Sequence, residues 1–313
     1  MSNIKIIKLS DQGFCFGVKR AIKIAEETSK NDTLPRPIYL LGNIVHNEHI
    51  STYLKSLDII VIEGSNRLEM LDMVPNNKTV IFSAHGVSQK VREKAIKKNL
   101  TIIDATCPYV EKTFKLVEEK ANDNASILYI GKRDHPETEA VLELDKHIHL
   151  VENDNLMFDN LNTEKIYVAH QTTMSNYDIE NLFEKIKTVY PNALKLDMIC
   201  RVTENRQKQL SEIGNLHLEG ASLIIVIGDK HSNNSTKLYE LAKRNASVDA
   251  VFIESISELN LEMVKKYQNV VIASGTSTPP SLIKEVIDTI NIIDTITSSH
   301  VDSNIQLNKL LEE

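Results

Sequence analysis

Short apolar, β-branched runs punctuate the chain at 4–7, 59–62, 80–82, 127–130, 166–169, 224–227 and 270–273. Between them lie lysine- and glutamate-rich stretches whose apolar positions recur at helical period, as at 91–98, 113–121, 177–189, 237–244 and 282–290. This alternation predicts α/β units with mainly parallel sheets. Uninterrupted rather than alternating apolar runs fit strands buried on both faces. Ligands of such sheets gather at the carboxyl ends of the strands, here the polar turns after Phe82, Ile130, Ala169, Ile227 and Ala273.

A threefold pattern overlies the alternation. Cys15, Cys107 and Cys200 stand 92 and 93 positions apart, and each precedes a helical-looking segment. A polar cluster follows each cysteine at 31, 28 and 32 positions: His46-Asn47-Glu48, His135-Pro136-Glu137 and Ser232-Asn233-Asn234. A second landmark closes each unit after an apolar run: Ser83-Ala84-His85-Gly86, Ala169-His170-Gln171-Thr172-Thr173, and Ala273-Ser274-Gly275-Thr276-Ser277. The expected fold is a trefoil of three small α/β domains around a pseudo-threefold axis, with strand ends and cysteines converging. The expected bounds are 1–104 (Cys15, His46, His85), 105–196 (Cys107, His135, Glu137, Thr172) and 197–290 (Cys200, Ser232, Asn234, Ser277). Residues 291–313 carry no further landmark and are expected to be a tail.

Composition narrows the function. A chain of 313 residues, 42% hydrophobic, can bury one large core or several smaller ones. Net charge is −7, aromatics are 5% and tryptophan is absent, so nucleic acid and anionic membrane surfaces are not expected partners. Apolar stretches such as 223–227 are strand-sized, and the opening Met-Ser-Asn-Ile-Lys lacks a secretory core. A soluble cytoplasmic protein is expected. Three cysteines without a CxxC argue against a disulfide framework, a zinc ribbon or a thioredoxin-like motif.

Three converging thiolates leave several readings open. Structural zinc usually takes four Cys or His ligands. A cubane iron–sulfur cluster on three cysteines keeps one iron open, able to act as a Lewis acid and pass electrons. Unrelated buried thiols are the commoner state of isolated cysteines, and the equal spacing weighs against that. The other landmarks supply neutral donors: His46, His85, His135, Thr172, Ser232, Asn233, Asn234 and Ser277. Such donors, with helix amino termini, can hold a phosphate group. A single Ser/Asn cluster before a helix is more often just an N-cap. His135-Pro136-Glu137 places an imidazole beside an acid for proton transfer, although a capped turn is the commoner meaning of one instance. Gly13 and Gly17 let the backbone pass close to a bulky group beside Cys15, and Gly86 and Gly275 offer the same near a substrate.

The ordered motifs Gly13-Phe14-Cys15-x-Gly17-Val18, Val45-His46-Asn47, Ser83-Ala84-His85-Gly86-Val87, Asp104-Ala105-Thr106-Cys107-Pro108, His135-Pro136-Glu137, Gln171-Thr172-Thr173, Thr203-x-Asn205-Arg206-Gln207, Ser232-x-Asn234-Ser235 and Gly275-x-Ser277-x-Pro279 strongly resemble the 4-hydroxy-3-methylbut-2-enyl diphosphate reductases. The resemblance spans about residues 5 to 285. It implies a trefoil around a central [4Fe–4S] cluster with Cys15, Cys107 and Cys200 as its ligands. It implies that His46, His85, Ser232, Asn234 and Ser277 bind the diphosphate of an allylic substrate, with His135 lining the same pocket. Glu137 matches the proton-delivering acid and Thr172 the residue that positions acid and substrate hydroxyl. The implied reaction is reductive dehydroxylation, the last step of the non-mevalonate isoprenoid pathway, with electrons from a carrier such as ferredoxin or flavodoxin. Departures from the usual pattern are Phe16 for alanine, Asn233 for serine, Ala140 for glycine and Pro280 for an acidic residue. Phe16 is expected to tighten packing beside the cluster, and Pro280 to alter the start of its helix. A cluster-dependent hydro-lyase, a non-catalytic sensor of iron or oxygen, and a structural zinc protein remain as competing readings.

Overall fold

The computed structural model describes residues 4–45, 47–64, 66–153, 155–196, 198, 200–213, 218–244 and 248–298. Chain order runs β1 (Lys5–Lys8), α1 (Phe16–Ser29), β2 (Ile38–Leu41), α2 (Glu48–Ser56), β3 (Ile59–Ile62), α3 (Arg67–Asp72), β4 (Thr79–Phe82), α4 (Gln89–Lys97) and β5 (Thr101–Asp104). It continues through α5 (Pro108–Asn122), β6 (Ser126–Ile130), α6 (Pro136–Leu142), β7 (Ile148–Val151), β8 (Ile166–His170), α7 (Asn176–Val189) and β9 (Leu194–Lys195). Last come α8 (Arg201–Glu212), β10 (Ser222–Ile227), α9 (Asn233–Lys243), β11 (Asp249–Ile253), α10 (Leu261–Val264), β12 (Asn269–Ser274) and α11 (Pro280–Ser298).

Among the described residues the strands form three four-stranded sheets, ordered β3-β2-β4-β5, β7-β6-β8-β9 and β11-β10-β12-β1. Every pairing is parallel. Parallel pairing requires crossovers, and the helices between strands provide them and cover the faces. In the third sheet Leu223, Ile225 and Ile227 pack with Val286 and Ile290 of α11, while Ile224 and Val226 face Leu210 and Leu238. That is why β10 is buried throughout and, after Ser222, reads as unbroken isoleucine, leucine and valine.

The three sheets share one order, as the repeat predicts, but the chain's first strand does not join the first of them. β1 pairs with β12, Lys5 opposite Asn269 and Lys8 opposite Ile272. The 1–104 division therefore begins too early: the amino-terminal strand completes the sheet built from β10 to β12. Ile4 and Ile6 pack on one face of that sheet and Ile7 and Leu9 on the other. A four-residue apolar run carries no local mark of which sheet edge it will find. The tail boundary also shifts. α11 extends to Ser298, with Ile290 and Ile293 buried on its apolar face, so 291–298 is helix; residues 299–313 lie outside the described set.

By internal contacts the chain forms two units. One comprises Met1–Gly13 with Asn205–Glu313 and holds the third sheet; the other comprises Phe14–Glu204 and holds the first two. Helix starts are defined by short polar caps, Asn47 on Ile50 N–H, Ser88 on Val91 N–H and Ser175 on Asp178 N–H. Among the described residues no helix is long and apolar enough to cross a membrane.

Candidate active site

Each cysteine opens a helix. Cys15 is the N-cap of α1, its sulfur accepting the Val18 N–H at 3.5 Å. Cys107 is the N-cap of α5, with Pro108 at the first helical position. Cys200 directly precedes α8, and its carbonyl accepts the Glu204 N–H at 3.0 Å. All three are reduced, half-buried thiols within the one unit Phe14–Glu204.

The sulfurs approach one another. A Cβ added at Gly17 would lie 2.7 Å from Cys107 Sγ and 3.9 Å from Cys15 Sγ, so the two sulfurs are no farther apart than those distances combined. Glycine is what makes room there. Burial, above all, pushes the Cys107 thiol up to about 11, and the neighbouring Cys15 and Cys200 push the same way. These effects outweigh the N–H groups of Tyr109 and Val110, which favour the thiolate. A cationic group between the sulfurs would reverse that balance. Sulfurs on one tetrahedral zinc stand about 3.8 Å apart, from Zn–S bonds of about 2.3 Å. Among the described residues no three His, Cys, Asp or Glu side chains are placed to hold such a single ion.

The acid predicted at Glu137 sits at the start of α6, 1% exposed. Its Oε1 accepts the Thr172 N–H at 2.8 Å, and its Oε2 accepts the Thr172 hydroxyl at 2.7 Å. Thr172 lies two residues past the end of β8, so the β6 and β8 strand ends bring acid and hydroxyl together. His135, the N-cap of α6, accepts the Glu137 N–H through Nδ1 at 3.2 Å. Its ring packs edge-on to His85 with centroids 5.5 Å apart. Burial is the largest influence on Glu137 and lifts its pKa to about 7 despite the donors around it. A carboxylic acid in this setting holds a proton near neutrality and can give it up.

Tyr129 also belongs to this group, and neither motif nor spacing marks it. From within β6, 0% exposed, it donates its hydroxyl to Glu137 Oε1 at 3.2 Å. A tyrosine in a buried strand reads as core, and only the geometry shows that its polar end has a use.

The other unit gathers Ser232, Asn234 and Ser277. Ser232 caps α9, and Ser277 Oγ donates to Ser232 Oγ at 3.3 Å. Asn234 Oδ1 accepts the Thr276 N–H at 3.0 Å, while its Nδ2, in a side chain 2% exposed, has no hydrogen-bond partner among the described residues. A buried amide donor without an acceptor costs about 1–3 kcal/mol. At the start of an eleven-residue helix with no acid in its first turn, that donor suits an anion. Asn233, the first residue of α9, shares the turn. His46 lies outside the described residues.

Some expectations change. Phe16 is 57% exposed, so it does not tighten packing beside Cys15. Pro280 stands at the start of α11, a place proline suits, because the amide it lacks has no intrahelical partner there. Gly86 and Gly275 make room for protein rather than ligand: a Cβ at Gly86 would meet the Phe114 ring at 2.8 Å, and one at Gly275 would meet Ser235 Oγ at 2.0 Å. Gly13 has its close neighbours in Pro280, Thr278 and Ile283.

The LytB protein family model matches residues 6–291. A relative from Macrococcus caseolyticus named 4-hydroxy-3-methylbut-2-enyl diphosphate reductase is 40% identical over 314 residues, 98% of this chain and 96% of its own. One of the same name from Bacillus cereus strain AH820 is 42% identical, covering 91% of this chain and 89% of its own. The solved structure of the Plasmodium falciparum E-1-hydroxy-2-methyl-but-2-enyl-4-diphosphate reductase is similar with a TM-score of 0.81 at 33% identity, over 92% of this chain and 88% of that one. LytB proteins are iron–sulfur proteins, and three reduced thiols at helix starts, Cys15 and Cys107 close around Gly17 and Cys200 near enough to act on Cys107, are a donor set that fits such a group. Sequence, fold and thiol geometry agree, and the chain belongs to the LytB family, that of the 4-hydroxy-3-methylbut-2-enyl diphosphate reductases.

Proposed function

We propose that the chain reduces 4-hydroxy-3-methylbut-2-enyl diphosphate to isopentenyl diphosphate and dimethylallyl diphosphate, with Cys15, Cys107 and Cys200 holding a [4Fe–4S] cluster. When bound, the cluster supplies single electrons and a Lewis-acidic iron with an open position. Two electrons and two protons convert the C–OH to C–H and water. Glu137 provides the proton that leaves with the hydroxyl as water, and Thr172 orients both the acid and that hydroxyl. The second proton goes to either end of the allylic unit, giving two products. His46, His85, His135, Ser232, Asn233, Asn234 and Ser277 bind the diphosphate with neutral donors. An electron carrier such as ferredoxin or flavodoxin feeds the cluster.

The observation that carries this reading is the buried Glu137–Thr172 pair, an acid kept protonated near neutrality against a hydroxyl at 2.7 Å. The test is an anaerobic assay with reduced viologen and the diphosphate substrate. The reductase consumes two electrons per product, a hydro-lyase none, and Glu137→Gln is expected to retain the cluster spectrum and lose turnover. Full turnover in that variant would remove the acid's role.

A further inference from the structure

Glu137 accepts three hydrogen bonds, and they are unevenly shared. Oε1 takes two, from the Thr172 N–H at 2.8 Å and the Tyr129 hydroxyl at 3.2 Å. Oε2 takes one, from the Thr172 hydroxyl at 2.7 Å. A carboxylate oxygen has about two lone-pair sites, so Oε1 is filled. A proton placed on Oε1 would displace a buried donor and leave it without an acceptor, which is costly.

We propose that Tyr129 is a positioning residue of this reaction: with the Thr172 amide it fills Glu137 Oε1 and confines the transferable proton to Oε2, the oxygen that meets the Thr172 hydroxyl. The inference rests on the reading of Glu137 as the proton donor. With the proton on Oε2, the carboxyl O–H donates to Thr172 Oγ1, whose own hydrogen is then turned toward the substrate hydroxyl. Breaking the C–O bond releases water; the proton passes from Oε2 to Oγ1 as Oγ1 releases its own, and the electrons are those the reductase already consumes. The ring is held in place. A Cβ at Gly131 would lie 3.0 Å from Tyr129 Cε1 and 2.7 Å from Thr138 Oγ1, so strand and helix close around it. Burial and the adjacent Glu137 also raise the phenol well above its ordinary range, which keeps it a donor at every working pH.

The test compares wild type, Tyr129→Phe and Glu137→Gln as anaerobically purified holoenzymes. Tyr129→Phe keeps the ring and removes the donor to Oε1. The carboxylate then loses a stabilising hydrogen bond, so the alkaline limb of the kcat profile moves up by about one pH unit. On the plateau kcat falls about twofold with KM for the diphosphate unchanged, because the proton now divides between two oxygens. The limb position does not depend on how much enzyme carries a cluster, so partial loading leaves the result readable. If the phenylalanine variant does not fold, 3-fluorotyrosine at position 129 keeps the size and donates more strongly, and it moves the limb down instead. A limb within about 0.2 unit of wild type overturns the proposal whatever happens to kcat. Turnover in Glu137→Gln would instead overturn the reading on which the proposal stands.

Discussion

Gly17→Ala sets two effects of known sign against each other. Gly17 is the second residue of α1, where alanine is ordinarily the better helix former by up to about 1 kcal/mol. The added methyl would lie 2.7 Å from Cys107 Sγ and 3.2 Å from Cys107 Cβ, against ordinary contacts of 3.4–4 Å. Relief requires either a shift of the first turn of α5 or rotation of the Cys107 thiol away from its neighbours. Overpacking of this kind costs about 1–3 kcal/mol, so the clash outweighs the propensity gain. Three thiols leave no spare ligand, and the cost falls on cluster binding. A penalty of about 2 kcal/mol weakens binding by roughly thirtyfold. Anaerobic titration with iron and sulfide, followed by visible absorption and acid-labile sulfide per chain, measures this directly. A variant that loads like wild type and is more stable by about 1 kcal/mol would show that the cysteines do not share one group around Gly17.

Two further outcomes follow from the same geometry. In the proposed role Glu137 acts in its protonated form, and its pKa is raised to about 7, so kcat should be full below that value and fall roughly tenfold per unit well above it. The raised value also acts on stability: the protonated form is favoured on folding, so stability is full below about pH 4.5, is lost as pH rises to about 7, and changes no further. Glu137→Gln holoenzyme should therefore gain about 3 kcal/mol on wild type between pH 5 and 8 in urea unfolding. Asn234→Asp keeps the acceptor for Thr276 N–H but replaces the buried Nδ2 donor with negative charge. It should raise KM for the diphosphate on the order of a hundredfold with a smaller change in kcat, and an unchanged KM would remove Asn234 from the anion site.

Much of this was legible because the chain repeats its chemistry. Equal cysteine spacing anticipated three helices opened by thiols, and unbroken isoleucine and valine runs anticipated parallel strands covered on both faces. The seat of β1 was not legible, since Ile6 and Ile7 look alike to any open sheet edge and only the completed β12 selects them. Strands β2, β5, β7 and β11 were missed where Tyr39, Asp104, His149 and Asp249 interrupt or edge the apolar run, and β9 because it is only Leu194–Lys195. Glu137 stood out as a candidate acid in His135-Pro136-Glu137, but its raised pKa was not legible. That depends on burial and on Thr172 and Tyr129, which lie 35 and 8 positions away and meet Glu137 only in the fold.

The pairing of β1 with β12 imposes an order on biogenesis. Residues 5–8 leave the ribosome more than 260 positions ahead of the strand they need, 269–274. The sheets drawn from 38–104 and 126–195 use contiguous stretches and can assemble while translation continues. The third sheet must wait, its earliest strand unpaired until 269–274 emerge. Trimming the first eight residues would leave β12 as an exposed edge, and nascent-chain aggregation, rather than catalysis, is where that damage would surface.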